Sequence, residues 1–226
     1  NTRKESIANI SLLENSNCLT VTTGHQLCLF TGPLYFIYKI ISTLNLSEWL
    51  NKSFPDKKFV PVYWMASEDH DFEEVNHAFT YGKKIEWKSD EKGAVGNFKT
   101  KSIESAISEL ETVLGPGENS KDLISLFKNA YLKHDTLDKA TRFLVNELFG
   151  EYGLVIADGN DKTLKQELKA LIKKDIFENI PAKKTNETIS YLETKKYSAQ
   201  VNPRDINCFY LEENGRHRIE KAGDSY

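Results

Sequence analysis

Cysteine is scarce in this chain of 226 residues: Cys18, Cys28 and Cys208 are odd in number, far apart and without metal-ligand spacing. That excludes a disulfide framework and a structural zinc site, and it reads as reduced thiols in a cytoplasmic protein. Long hydrophobic runs are missing as well. The apolar stretches break well short of a spanning helix, and no secretory leader opens the sequence. Charge of one sign is not in excess: 30 Lys and Arg stand against 33 Asp and Glu, for a formal net charge of -3 and a pI of about 6.0. No general drive towards nucleic acid or a membrane surface follows from that balance. The phosphate-binding patterns GxGxxG and GxxxxGK[ST] are absent, as are HExxH and any Ser-His-Asp nucleophile motif. There is no internal repeat and no low-complexity segment.

What is present is 39% apolar residues, enough to bury a substantial core. CLTVTT, residues 18–23, reads as a strand broken at Gly24. Residues 33–52 suit a helix, with Pro33 at its first position, where a missing N–H costs nothing. Its stripe of Ile37, Ile40, Ile41, Leu44 and Leu50 is widened by Tyr35, Phe36 and Tyr38, which predicts burial over much of its circumference. FVPVYWMA, 59–66, is continuously apolar, as a central parallel strand should be, provided Pro61 sits in its first residues or at a bulge. Asp71 and Glu74 have the spacing of a capping box. Residues 80–87 read as a short strand pair or loop, and 93–97 as a turn-rich link. Helical spacing returns at 102–114, 120–133 and 136–149. GLVIAD, 153–158, is a further buried strand, followed by helices over 161–178 and 184–196. The tail turns at Glu213-Asn214-Gly215 as a hairpin would. Trp49, Trp64 and Trp87 read as core or core-edge aromatics. Strands alternating with helices predict an α/β class with a mostly parallel sheet. The start at NTRKES without Met and the stop at KAGDSY read as an excised piece of something longer.

Two stretches carry groups for chemistry. TTGHQ follows the first strand, and ligands of open α/β sheets bind beyond the carboxyl ends of strands. There Thr22, Gly24 and His25 have the parts of an adenylyl-transfer loop: a close backbone approach to phosphate, an imidazole donor to a phosphoryl oxygen, and the following helix start. Gly32 gives a second close-approach point. The plainer reading is an unusual φ at Gly24 and a satisfied structural histidine. The second stretch, SEDHDFEEVNH, empties from the apolar strand. It holds Glu68, Asp69, His70, Asp71, Glu73, Glu74 and His77, five carboxylates and two imidazoles in ten residues. A helix beginning after Asp71 would put Glu73 and His77 on one face at i,i+4. Carboxylates so placed orient imidazoles, bind an amine or hold Mg²⁺, whereas the plain reading is a solvated acidic first turn. Asp158 either touches a ribose or amine or N-caps the next helix. Lys39 either anchors a phosphate or snorkels to solvent. Arg204, Arg216 and Arg218 read as solvated charge ahead of a carboxylate or phosphate clamp. Cys28 lies in an apolar context that raises a thiol pKa.

Together, TTGHQLCLFTGPLYFIYKIIS, VPVYWMASEDHDFEEVNH, YGLVIADGND and YSAQVNPRDINCFYLEENGRHRI resemble the cysteine-adding enzyme family of bacillithiol biosynthesis. The resemblance spans nearly the whole chain and would make it the amino-terminal portion of a longer protein. It implies a Rossmann-like core related to class I synthetases and nucleotidyltransferases. Residues 1–97 would begin that core, 98–150 form a helical insertion or accessory subdomain, 151–180 continue the core, and 181–226 form a connecting segment with a hairpin. A coiled coil largely beyond Tyr226 would make the full-length protein a homodimer. The implied reaction is a ligase step joining L-cysteine to glucosaminyl-malate through an amide, driven by ATP, with Mg²⁺ only as the nucleotide's counter-ion and no metal held by the protein. Family members commonly carry Gln-Gln after the loop glycine where this chain has His25-Gln26, and the lysine-rich second loop of synthetases is not evident.

The expected roles follow. Thr22, Gly24, His25, Gly32 and Lys39 hold the nucleotide. His25 stabilises phosphoryl oxygens as cysteine's carboxylate forms an adenylate. Asp69 or His70 orients the incoming amine and accepts its proton, while Glu68, Asp71, His77 and Asp158 contact substrate. Three alternatives stay open: a nucleotidyltransferase using TTGH on another small substrate, a non-catalytic nucleotide- or metabolite-binding domain, and a phosphate-driven ligase forming an acyl phosphate and ADP.

Overall fold

The computed structural model describes residues 2–213, 215–223 and 225, which fall into two compact units divided between Asn160 and Asp161. The first unit opens with a helix the sequence pattern did not suggest, α1 (Lys4–Leu12). It leads into β1 (Cys18–His25), α2 (Leu34–Ser53) and β2 (Lys58–Met65). A single turn, α3 (Phe72–Val75), precedes the antiparallel pair β3 (His77–Thr80) and β4 (Lys83–Glu86). Three helices follow, α4 (Glu104–Leu114), α5 (Glu118–Tyr131) and α6 (Leu137–Phe149), and then β5 (Val155–Asp158).

The main sheet is parallel throughout, in the order β1-β2-β5. β2 is central, and residues 60–63 are buried in succession because sheet and helices cover both of its faces. Pro61 is tolerated because β2 is flanked on both sides only from Val62 onward, where pairing with Val155 begins. The helices over 104–149 share one core with this sheet. Tyr63 and Met65 lie in the same cluster as Trp87, Phe98, Ile107, Phe127 and Leu144. Trp87 is fully buried, and its indole N–H is satisfied by Ser102 Oγ at 2.7 Å.

Two expectations about burial need correction. α2 turns Phe36, Ile40, Thr43 and Ser47 inward at helical spacing, yet Tyr35, Tyr38, Ile41 and Leu46 face solvent. The helix is therefore buried on one side only, because among the described residues no second layer covers its far face. Trp49, on that exposed side, is 58% exposed and is not a core residue.

The second unit holds α7 (Lys162–Glu167), α8 (Lys169–Glu178), α9 (Ile180–Thr194) and the pair β6 (Phe209–Glu212) and β7 (Gly215–Arg218). The single helix expected over 161–178 is broken at Leu168, whose N–H reaches back three residues to Lys165 O at 3.2 Å. Asn179, left-handed at φ 54, reverses the chain, and Pro181 lies in the first turn of α9, where its missing N–H is harmless. The predicted hairpin turn includes Asn214, which lies outside the described residues. Buried Asp175 accepts hydrogen bonds from Asn207 N and Nδ2 at 2.8 and 3.1 Å and fixes the loop before β6. Arg204 and Arg218 line a cavity of about 380 Å³ in this unit, while Arg216 stacks on Phe209 at 4.8 Å. No helix among the described residues is long and apolar enough to cross a membrane.

Candidate active site

Parallel pairing sets the carboxyl ends of three strands level. His25 lies opposite Met65, and Met65 opposite Asp158, so the loops after β1, β2 and β5 leave the same end of the sheet. That is where an open α/β sheet exposes loop backbone and helix starts to a ligand. The segments arriving there are Gln26 and Leu27, then residues 66–71, then Gly159 and Asn160.

Side chains tie these segments together. Ser67, almost wholly buried, donates from Oγ to Asp158 Oδ1, and Asn160 N–H reaches Ser67 Oγ at 3.1 Å and Asp158 Oδ1 at 2.9 Å. Arg142 from α6 approaches Asp158 Oδ2 at 3.5 Å. Asp158 thus holds two loops in register. The N-cap of α7 is Asp161, which accepts from Thr163 and Leu164 N–H. At Gly159 an added Cβ would lie 2.1 Å from Glu68 Oε2, so the Glu68 carboxylate would have to move aside.

Gln26 joins the first loop to the second. Its Nε2 donates to Asp69 Oδ2 at 2.6 Å and to Glu74 Oε2 at 2.7 Å. The other Asp69 oxygen accepts from His70 N at 2.7 Å and Asp71 N at 3.3 Å. Asp69 is therefore occupied on both oxygens as a scaffold. His70 is placed differently. Its Nδ1 lies 2.9 Å from Glu68 O, which can only accept, so Nδ1 carries a proton, and in that tautomer Nε2 is the acceptor. That Nε2 is buried and has no partner among the described residues, and the same is true of Glu68 Oε2. Buried polar atoms are nearly always paired, so these two point to a missing ligand or solvent group.

His25 packs edge-on against Phe36 at 5.2 Å, and its Nδ1 donates to Gln26 O at 3.0 Å. Burial lowers its pKa below 6.5; the carbonyl contact opposes that shift and nearby Lys39 adds to it. A neutral His25 hence offers an acceptor at Nε2, and only the imidazolium donates there. Lys39 donates from Nζ to the Gly24 carbonyl and lies over the Tyr35 ring. It neither snorkels freely nor stands apart from the loop. Gly24 has an ordinary φ, and a Cβ there would meet Trp64 at 3.7 Å, a normal contact. The unusual-φ reading of Gly24 is thus wrong, and nothing in the fold demands glycine. Gly32 is the opposite case: at φ 53, a Cβ would fall 2.3 Å from Cys28 Cβ, so folding alone accounts for it. Thr22 is exposed and lines a groove of about 320 Å³ with Thr23, Tyr38 and Lys39. Burial, with Glu74 adding to it, pushes the Cys28 thiol up to about 11.

The expected helix through His77 does not form. α3 ends at Val75, Asp71 makes no side-chain cap, and Glu74 turns to Gln26 instead. His77 begins β3 opposite Glu86, with Nδ1 2.9 Å from Asn76 Oδ1, so no i,i+4 pair with Glu73 exists. Asp71 is exposed at the loop surface. Among the described residues, no three His, Cys, Asp or Glu side chains gather as a metal site would require. Gln26, Ser67 and Arg142 were not singled out from the sequence. Gln26 and Ser67 adjoin the two motifs, whereas nothing marked Arg142.

Comparison with known proteins adds a family. The model of the bacillithiol biosynthesis BshC N-terminal Rossmann-like domain matches residues 1–226. Curated relatives bear the name "Putative cysteine ligase BshC". The one from Flavobacterium psychrophilum is 50% identical over 218 residues, covering 96% of this chain and 41% of the relative. That from Christiangramia forsetii is 48% identical over 223 residues, covering 97% and 41%. The Salinibacter ruber protein is 33% identical over 223 residues, covering 94% and 40%. The chain spans about two-fifths of the length of these relatives.

Proposed function

This chain belongs to the BshC family of bacillithiol biosynthesis, in its N-terminal Rossmann-like domain, and we propose that it supplies the amine- and nucleotide-handling side of a carbon–nitrogen ligase. The full-length protein would join L-cysteine to the amine of glucosaminyl-malate through an amide. Kinship of the core to class I synthetases and nucleotidyltransferases is part of the same proposal.

One observation carries the assignment of roles: the orphaned lone pair on His70 Nε2 at the carboxyl end of β2. Asp69 already receives Gln26, His70 and Asp71 on its two oxygens, whereas His70 Nε2 receives no donor among the described residues. His70 therefore takes the proton that the amine nitrogen sheds as its bond to the cysteine carbonyl carbon forms. Asp69 is a positioning residue that fixes the His70 backbone. Ser67 and Asp158 act in the same way on the loop as a whole. On this reading Glu68 and Asp71, on the loop after β2, and His77, at the start of β3, would contact substrate.

When bound, ATP supplies the leaving group that activates the cysteine carboxylate. The residues fit such an anion in one specific respect: Gly24 is a glycine that the fold does not need, beside a histidine at a strand end. Thr22, Gly24, His25 and Lys39 would hold the nucleotide, with Gly32 shaping the turn that follows. His25 would donate to a phosphoryl oxygen as the imidazolium.

The test uses full-length protein with cysteine, glucosaminyl-malate and ATP, followed by mass spectrometry of the thiol and nucleotide products. AMP or ADP among the products identifies the mode of activation. His70→Asn keeps a donor for the Glu68 carbonyl and removes the base. It should lower turnover by about 10²- to 10³-fold with little change in KM. A wild-type rate would remove His70 from the chemistry, and no amide product from the wild type would leave the domain a binding module.

A further inference from the structure

Helix α6 has two faces of opposite character. Leu137, Ala140, Thr141, Leu144 and Val145 are buried, while Lys139, Arg142, Phe143 and Asn146 recur at i, i+3, i+4 and i+7 on the other side. With His134 from the loop before it and residues 154–156 of β5, this second stripe encloses a cavity of about 280 Å³. That is close to the lower bound of small-molecule sites, about 300 Å³. No Asp or Glu lines it among the described residues, against one lysine, one arginine and one imidazole. The acidic residues of α6 are engaged elsewhere. Asp138 accepts from Thr136 Oγ1 and Lys139 N, and Glu147 pairs with Arg3 at 3.0 Å.

Lys139 and Arg142 are like charges one turn apart, which costs helix stability unless an anion lies between them. Lys139 has no ion pair among the described residues. Arg142 is already oriented: Nη1 donates to Ile156 O at 3.1 Å and Nη2 lies 3.5 Å from Asp158 Oδ2. Its guanidinium has N–H donors beyond these two. His134 Nδ1 lies 2.8 Å from Ala130 O and so carries a proton, and the ring packs on Phe143 at 4.9 Å. Its Nε2 can accept from a protonated phosphoryl oxygen or, as the imidazolium, donate to an ionised one.

We propose that this cavity binds the phosphate monoester of a small organic molecule, with the phosphate between Lys139 and Arg142. A carboxylate is planar and is satisfied by the fork of one arginine. A phosphate has three terminal oxygens for donors arriving from several directions, as they do here from α6 and the loop before it. Phe143, Ile10 and Leu154 give the organic part an apolar wall. β5 contributes only as far as Ile156, so the cavity is separate from the strand ends. Arg142 nonetheless serves both, and a bound phosphate competes with Asp158 for its guanidinium. The site stands whatever bond is made at the strand ends.

Lysine footprinting of full-length protein with an N-hydroxysuccinimide ester, read by mass spectrometry, tests it. Phenyl phosphate at about ten times its dissociation constant should slow labelling of Lys139 about tenfold and leave Lys39 unchanged. In calorimetric titration Lys139→Glu should weaken phenyl phosphate about tenfold or more, with no fall in the urea unfolding midpoint. Unprotected Lys139, wild-type affinity in Lys139→Glu, or equal protection by potassium chloride at matched ionic strength would overturn the proposal. Protection of Lys39 alone would put the phosphate at the strand ends, and stronger protection by succinate would make the ligand a dicarboxylate. Either result overturns it equally.

Discussion

Gly24 and Gly32 lie eight residues apart on either side of the same loop, yet the structure assigns them opposite reasons for being glycine, and two alanine variants separate those reasons. At Gly32 an added Cβ would fall 2.3 Å from Cys28 Cβ and 3.2 Å from its Sγ, on a backbone at φ 53 and ψ −137. Overpacking at such a site costs about 1–3 kcal/mol and the backbone strain about as much again, so Gly32→Ala should lose roughly 2–6 kcal/mol. At Gly24 the nearest atoms to an added Cβ, all of Trp64, are 3.7–3.8 Å away, and φ is ordinary. Gly24→Ala should therefore change stability by less than about 1 kcal/mol. The sign can be favourable, because alanine restricts the unfolded chain. If the bare backbone serves a phosphate, the same change should weaken ATP binding about tenfold or more, roughly 1.4 kcal/mol. Urea unfolding of both variants and calorimetric titration of full-length Gly24→Ala with ATP give the two readouts. Wild-type ATP affinity in Gly24→Ala would refute the phosphate-approach argument, and a collapse of its stability would refute the steric one.

Burial holds the pKa of His25 below 6.5, so on acidification the unfolded chain takes up this proton first. Stability from this residue is complete above about pH 6.5 and is lost as pH falls towards the folded-state value. A bound phosphate anion should raise the pKa again, so ATP affinity should increase on acidification and the binding enthalpy should vary with buffer ionisation. His25→Gln should abolish both dependences, as calorimetry in two buffers would show. Gln26→Glu places a third carboxylate against Asp69 and Glu74. It should cut turnover about tenfold or more at pH 8 and recover part of it at pH 6, where the new carboxyl retains its proton. With its thiol pushed up to about 11, Cys28 should be about one part in a thousand thiolate at pH 8 and alkylate correspondingly slowly in native protein, as timed mass spectrometry can follow.

Much of the fold was legible because its signals are local. Continuous apolar runs marked β2 and β5, helical spacing marked α2 and α4 to α6, and the strand-to-loop transitions placed TTGH and EDHD at carboxyl ends. Where several weak local signals competed, the pattern misled. A capping box and an i,i+4 pair after Asp71 were outweighed by the Gln26 contact to Glu74 and by pairing of His77 with Glu86. α1 went unseen because it carries little apolar stripe of its own and docks through Ser6 and Asn9 on the backbone near β5.

The sequence by itself determined which residues arrive at the strand ends, since alternation, turns and chain order are properties of neighbours along the chain. Tertiary structure alone decided what each can do there. It occupied both oxygens of Asp69, left one nitrogen of His70 without a partner among the described residues, gave Asp158 to Ser67 and Arg142, and made Gly32 a packing necessity while freeing Gly24 from one. Hydrogen-bond satisfaction and steric exclusion depend on residues dozens of positions away, and no local pattern encodes them.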